Sequence, residues 1–297
     1  MTQVTHLIIN GIRQSSIECL SALDRGLAYG DGIFETMRVD CGQIPLWRYH
    51  YERLQQGAAC LQIDVDLALL KSSIKEIVGC EYPCGVIKLM VTRGQGGRGY
   101  TPPDVERPTV IAMFFASTPE QQAMYEQHAR QGVSVHLCKQ VLPEYGSLAG
   151  IKTLNQLPYV LAAREVREAG CHEGLLFTDN GHLIEATARN VFLVKSGELY
   201  TPVLNTSGVS GVMRRLLIEQ LGEALSVPIY ERSLTMADLL VADEVFLSNS
   251  VTYLWPVVAC GEKYWQPGDI TRTIQQAVED YIASNRSLAF DGSVSEA

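Results

Sequence analysis

Gly181-His182-Leu183-Ile184-Glu185-Ala186-Thr187-Ala188-Arg189-Asn190, running directly into Val191-Phe192-Leu193-Val194, carries one acidic side chain into an apolar stretch that opens on an Asn180-Gly181 turn. Asn-Gly favours a tight reversal between strands. A carboxylate taken into an apolar run needs a cationic partner to offset its desolvation. Upstream stands Gly150-Ile151-Lys152, a lysine flanked by Leu148, Ile151 and Leu154. Apolar surroundings disfavour its ammonium form and leave a nucleophilic amine.

An amine able to condense with an aldehyde and an acid able to face a protonated heterocycle are the two groups that pyridoxal 5'-phosphate asks of a protein. Taken singly, Lys152 and Glu185 also read as ordinary solvated charges. The rest of the chain decides between the two readings.

With 297 residues the chain can bury a large core, and its length favours two domains. Hydrophobic residues make up 46% and charged residues 19%, a globular and not a disordered composition. A formal net charge of −9 argues against a phosphate-backbone partner, so no nucleic acid is expected. Arginines are nevertheless concentrated at Arg93 and Arg98 and at Arg214-Arg215, where an anionic small molecule could be held. No apolar run approaches the ~18 residues that span a bilayer, and 1–10 lacks the pattern of a secretory signal, so a cytoplasmic protein without a membrane partner is expected. The eight cysteines read as free thiols, and Cys80-x3-Cys84 lacks a second pair at zinc spacing, so no metal is expected.

Hydrophobic patterning organises the chain. Residues 6–10 and 12–14 read as a hairpin. Residues 33–39 alternate as a strand, 40–42 turn, and 43–46 return as a second hairpin. Helices are expected over 48–61, with Tyr51, Leu54, Ala58 and Leu61 as the buried stripe and Arg53 beside it, and over 68–78. Strands at 85–92 and 109–115 complete a mixed α+β first domain, 1–118. The polar stretch 119–132 reads as a connector or a short surface helix. The second domain, 133–297, should carry strands at 133–138, 174–178, 190–195, 229–231 and 244–247. Its helices are expected near 155–169, 212–225 and 270–284, and 287–297 reads as a frayed tail.

Three loops bear on chemistry. Ser207-Gly208-Val209-Ser210-Gly211 before Val212-Met213-Arg214 reads either as a phosphate cradle at a helix start or as an ordinary cap. Ser248-Asn249-Ser250 ends an apolar strand with three hydrogen-bonding side chains, a second phosphate arm or a polar turn. Gly94-Gln95-Gly96-Gly97-Arg98-Gly99-Tyr100 reads as a flexible loop offering Arg98 to a carboxylate, or as a plain turn; the lysine and hydroxyl of a nucleotide P-loop are missing. Arg53 reads either as a two-pronged contact to the same phosphate or as a charge on a solvated helix face.

Asp24-Arg25-Gly26-Leu27-Ala28-Tyr29-Gly30-Asp31-Gly32-Ile33-Phe34-Glu35-Thr36-Met37-Arg38, His50-Tyr51-Glu52-Arg53-Leu54 and the motifs around Lys152, Glu185, Gly211 and Ser248 resemble, in order, the signatures of class IV (fold type IV) pyridoxal-phosphate enzymes. That family includes branched-chain and D-amino acid aminotransferases and 4-amino-4-deoxychorismate lyases. The resemblance implies a two-domain fold with a smaller N-terminal α/β sandwich and a larger C-terminal pseudo-barrel, and a homodimer. It implies that Lys152 binds the cofactor covalently, that Glu185 faces the pyridine nitrogen, and that Arg53, the amides of Val212 and Met213, and Ser250 hold the phosphate. The combination 92–100 with 148–155 is most similar to the bacterial lyases. The lyase reading expels pyruvate from 4-amino-4-deoxychorismate to give 4-aminobenzoate, with Arg98, Arg93 and Asn249 meeting the substrate. A transaminase on the same scaffold is the first alternative, and a catalytically silent binding protein the second. Met213 and Ser248-Asn249-Ser250 depart from the hydroxyl-bearing pattern of branched-chain aminotransferases.

Overall fold

Successive residues of a strand face opposite sides of its sheet, and along 33–39 the inward set is Ile33, Glu35, Met37 and Val39. A computed structural model describes residues 4–16, 20–78, 84–285 and 290. The chain divides into two units. The first takes the described residues of 1–118 and 151–155 with 284, 285 and 290; the second takes 119–150 and 156–283.

The first unit contains β1 (His6–Ile9), β2 (Ile12–Arg13), α1 (Arg25–Tyr29), β3 (Gly32–Val39), α2 (Trp47–Leu61), α3 (Leu67–Val78), β4 (Gly85–Thr92) and β5 (Thr109–Ala116). Its strands pair antiparallel in the order β2-β1-β5-β4-β3. Leu54 and Ala58 of α2 and Leu70, Ile74 and Ile77 of α3 pack with Met37, Ile87, Leu89 and Phe114 of the sheet, giving a sandwich of one sheet and one helical layer. Each of these side chains other than Ala58, fully buried, contributes roughly 1.5–3 kcal/mol.

Two details differ from the sequence reading. Residues 43–46 do not return beside β3: Gln43 closes a turn on Asp40, Ile44 bridges Phe290, and Leu46 takes a left-handed backbone (φ 59°) that ends the extended run. β3 instead pairs with β4, from Gly32 opposite Thr92 to Val39 opposite Gly85. Residues 151–155, expected in the second domain, lie along the outer edge of β3: Phe34 N–H donates to the Lys152 carbonyl (3.0 Å) and Leu154 N–H to the Gly32 carbonyl (2.9 Å).

The second unit contains α4 (Pro119–Gln131), β6 (Val133–Val141), a 3-10 turn (Gly146–Leu148), α5 (Leu157–Glu168), β7 (Glu173–Phe177), β8 (His182–Ala186), β9 (Asn190–Lys195), β10 (Glu198–Pro202) and α6 (Val212–Leu216). A π turn (Leu217–Leu221) joins α6 to α7 (Gly222–Ala224). There follow β11 (Ile229–Arg232), β12 (Leu234–Thr235), α8 (Met236–Leu240), β13 (Glu244–Asn249), β14 (Tyr253–Cys260), β15 (Lys263–Tyr264) and α9 (Asp269–Ser284). The stretch 119–131 is thus a surface helix of this unit, with no fully buried side chain.

Strands of the second sheet run β11-β10-β9-β13-β14-β6-β7-β8-β12, with β15 on β14. Its two end strands are neighbours in the chain, separated only by Ser233, so the sheet curls into a nearly closed barrel. Val191 and Leu193 face one core with Val135, Leu175 and Trp255, whereas Phe192 stacks on Phe246 at 4.9 Å. Burial on both faces explains the unbroken apolar run of β9. Strands β8, β10 and β14 were not anticipated. Pro256 argues against a central strand, but the ladder of β14 to β6 begins only at Val257, past the proline.

No helix among the described residues is long and apolar enough to cross a membrane. Cys19, Cys80 and the tail beyond Phe290 lie outside the described residues.

Candidate active site

In the first unit, edge pairing to β3 fixes Lys152. Its half-buried side chain brings Nζ to 4.1 Å from the centre of the Phe34 ring, the apolar neighbour expected of a nucleophilic amine. One residue further along β3, Glu35 points to the opposite face and is only 2% exposed. His50 and Arg53, three positions apart on α2 and so on one helical face, both meet it. Arg53 Nε donates to Oε1 (2.7 Å) and Nη2 to Oε2 (2.5 Å), and His50 Nδ1 lies 2.7 Å from Oε2.

Burial alone would raise the Glu35 carboxyl, but the Arg53 charge and the His50 and Arg53 hydrogen bonds overcome it and hold it at about 2. For His50, burial lowers the pKa and Glu35 opposes; the charges of Arg53 and Lys152 lower it further. A neutral ring beside an ionised carboxylate must carry its proton on Nδ1. The two-pronged contact expected between Arg53 and a phosphate is thus made with Glu35; three of its five donors lie outside that fork. Glu35 and His50 had been given no role in the sequence reading. The signal was present: Glu35 is the one acid at an inward position of an alternating strand.

Arg93 and Arg98 share one loop but not one environment. Arg93 is buried, and all three of its guanidinium nitrogens bond the protein itself: Nε to Asp31 (2.9 Å), Nη1 to Glu106 (2.9 Å) and the Gln62 carbonyl (3.2 Å), Nη2 to the Leu61 carbonyl (2.7 Å). Arg93, expected to meet the substrate, thus uses four of its five donors to tie the loop to α2, Asp31 and Glu106. Arg98 is exposed and has no ion-pair partner among the described residues. The glycine loop, read as flexible, is clamped: Arg25 donates to the carbonyls of Gly99 (3.1 Å), Tyr100 (2.7 Å) and Thr101 (3.3 Å), and Gly99 N–H to the Tyr29 hydroxyl (3.0 Å).

In the second unit, Glu185 on β8 is 3% exposed. Val209 N–H lies 3.1 Å from both carboxylate oxygens, Asn190 Nδ2 donates to Oε2 (3.1 Å), and the Tyr159 hydroxyl donates to Oε1. Burial and the neighbouring carboxylate push the Tyr159 phenol up, so it stays a donor. Asn190 also donates to the Val209 carbonyl (2.9 Å). Its Oδ1 sits where a Cβ on Gly211 would stand, at 2.0 Å, so only glycine fits between Asn190 and the start of α6. Gly150, two residues before Lys152 in the chain, is tied to the same loop by its N–H to the Gly208 carbonyl and by Ser210 N–H to its own carbonyl, each 2.9 Å.

Gly211 precedes α6 with extended backbone and no side-chain cap. The first-turn amides of Val212 and Met213 therefore have no acceptor within the helix. Ser250 follows the end of β13. Asn249 is committed to the same turn: its Oδ1 accepts from Val251 N–H (3.0 Å), Thr252 N–H (2.9 Å) and Thr252 Oγ1 (3.2 Å), and its Nδ2 donates to the Ala188 carbonyl (3.3 Å). These bonds shape the Ser250 turn around Asn249, the residue expected to meet the substrate. Ser248 pairs directly with Asn190 and so shares its face. Its buried Oγ has no hydrogen-bond partner among the described residues.

The donor chemistry fits pyridoxal phosphate. The first unit offers the amine and an arginine; the second offers a buried carboxylate, uncapped amides and an orphaned hydroxyl of the kind a phosphate satisfies.

The family model described as Amino-transferase class IV matches residues 32–260. Aminodeoxychorismate lyase of Vibrio harveyi is 35% identical over 257 residues, covering 84% of this chain and 89% of that one. D-alanine aminotransferase of Bacillus licheniformis is 31% identical over 285 residues, covering 94% and 97%. Among solved structures, 4-amino-4-deoxychorismate lyase from Pseudomonas aeruginosa superposes with a TM-score of 0.84 at 40% identity, covering 92% and 98%. With its sandwich and barrel units, its lysine and its buried acid, the chain belongs to the class IV amino-transferase family of pyridoxal-phosphate-dependent enzymes.

Proposed function

We propose that the protein is an aminodeoxychorismate lyase, which converts 4-amino-4-deoxychorismate into 4-aminobenzoate and pyruvate in the cytoplasmic synthesis of folate. The observation that carries this reading is the 35% and 40% identity to the Vibrio harveyi and Pseudomonas aeruginosa lyases over most of the chain, against 31% to the Bacillus licheniformis D-alanine aminotransferase.

Bound, pyridoxal phosphate supplies a carbonyl for the substrate amine and a protonated heterocycle that takes up an electron pair. Lys152 is the covalent anchor; once displaced, its amine removes the proton from C4 of the substrate and protonates the departing enolpyruvyl group, which leaves as pyruvate. Loss of that group from the neighbouring carbon makes the ring aromatic. Glu185, held ionised by Tyr159, Asn190 and Val209, keeps the proton on the pyridine nitrogen. Arg53, through the donors outside its fork with Glu35, the amides of Val212 and Met213, and Ser250 hold the phosphate. Arg98 meets a substrate carboxylate. The protein works as a homodimer, a reading supported by the exposed apolar stripe Leu157, Val160 and Leu161 on α5.

Incubation of purified protein with 4-amino-4-deoxychorismate, without an added oxo acid, yields 4-aminobenzoate and pyruvate if this is correct. The likeness to D-alanine aminotransferase favours one alternative: glutamate formed from 2-oxoglutarate and an amino acid, with no 4-aminobenzoate, replaces the lyase reading by a transaminase.

A further inference from the structure

The donors around Glu185 approach its two oxygens differently. Val209 N–H is shared equally between Oε1 and Oε2, and Asn190 takes Oε2. Both donors belong to the framework of β9 and the loop before α6. Another donor, the Tyr159 hydroxyl on Oε1, comes from a different element, α5. Tyr159 packs against the apolar cluster of Leu142, Ala162, Leu176 and Ile184, so its hydroxyl is delivered from an apolar wall. A carboxylate that accepts from a phenol, an amide and a backbone N–H is stabilised in its ionised form.

We infer that Tyr159 is a positioning residue for the reaction: its O–H···Oε1 bond fixes the Glu185 carboxylate and lowers its basicity, so that the proton shared with the cofactor ring stays on the pyridine nitrogen. The inference rests on the reading of Glu185 as the partner of that nitrogen. Without the phenolic donor, the carboxylate becomes more basic and draws the proton toward itself. The ring then withdraws less charge from the linkage to Lys152, which titrates at higher pH.

The test is a pH titration of the visible absorbance of the holoenzyme, with cofactor affinity measured by reconstitution of apoprotein with pyridoxal phosphate. Tyr159→Phe removes one hydroxyl and keeps the ring. Expected are an upward shift of the absorbance midpoint by roughly half a unit to one unit and a weakening of cofactor binding by about tenfold, the scale of one hydrogen bond to a charged group. A fluorinated tyrosine at position 159, a stronger donor of the same shape, shifts the midpoint downward. If Tyr159→Phe leaves the midpoint where it was while Glu185→Gln moves it, Tyr159 only packs and the inference falls. If Glu185→Gln leaves both midpoint and affinity unchanged, the reading of Glu185 itself fails.

Discussion

Replacing Gly211 by alanine tests the junction at which Asn190, Glu185 and the start of α6 meet. Its backbone (φ −67°, ψ 140°) is open to any residue, so the substitution introduces no dihedral strain. The added carbon would stand 2.0 Å from Asn190 Oδ1 and 3.2 Å from Cγ, so the amide must retreat by roughly 1 Å or more. Retreat breaks two bonds of Asn190 Nδ2, to the Glu185 carboxylate and to the Val209 carbonyl. The first is worth about 1.5–3 kcal/mol and the second about 0.5–1.5. Against this, alanine restricts the unfolded chain and returns about 0.4–1 kcal/mol. Gly211→Ala should therefore lower stability by about 1–4 kcal/mol, read as a shift in urea midpoint at unchanged slope by circular dichroism. The decisive comparison is the same substitution in an Asn190→Ala background, where the obstructing oxygen is gone. There only the unfolded-state effect remains, and the sign reverses to neutral or slightly stabilising. An equal loss in both backgrounds would refute the steric argument.

Three further outcomes are expected. Glu35 is held at about 2 against an ordinary 4.5, so its stabilisation is complete above about pH 4.5 and is lost as pH falls toward 2; linkage puts it at roughly 3 kcal/mol. Glu35→Gln should flatten stability across that window, and at neutral pH should cost about 3–5 kcal/mol because Arg53 is left buried beside a neutral group; an unchanged acid profile contradicts the assignment. Arg93→Ala should cost a similar amount, whereas Arg98→Ala should stay within about 0.5 kcal/mol of the parent in thermal melts and lower kcat/KM with the cofactor colour retained. Loss of colour in Arg98→Ala speaks against a substrate contact. Borohydride treatment of the holoprotein should fix the cofactor mass on the peptide containing Lys152 and on no peptide of Lys152→Ala, by mass spectrometry.

What could be read from the chain without coordinates divides along a physical line. Elements whose side chains repeat with a clear period, such as 33–39, 85–92 and the helix through Arg53, depend on which face is apolar, and that is a local property of the sequence. The lysine and the acid were visible for the same reason: each stands as a lone charge among apolar neighbours. Partnerships were not visible, because they join residues far apart in the chain. Arg93 and Arg98 look equivalent in a glycine-rich loop; Asp31 and Glu106 make one a structural tie and leave the other exposed. Arg53 was read only against a phosphate, and nothing local showed that Glu35, inward on a neighbouring strand, also holds one edge of its guanidinium. Residues 151–155 show no strand pattern of their own, since their extended form is imposed by the free edge of β3. The same argument accounts for Asn190. A polar residue opening a strand that is buried on both faces must find its hydrogen bonds inside, and Glu185, Val209 and the space left by Gly211 are what the fold provides. The orientation of the acid, the path of the loop and the start of α6 thereby depend on one amide. A substitution at Asn190 should therefore disturb Glu185 and the Val212 and Met213 amides together, where one at Ser250 disturbs a single hydroxyl.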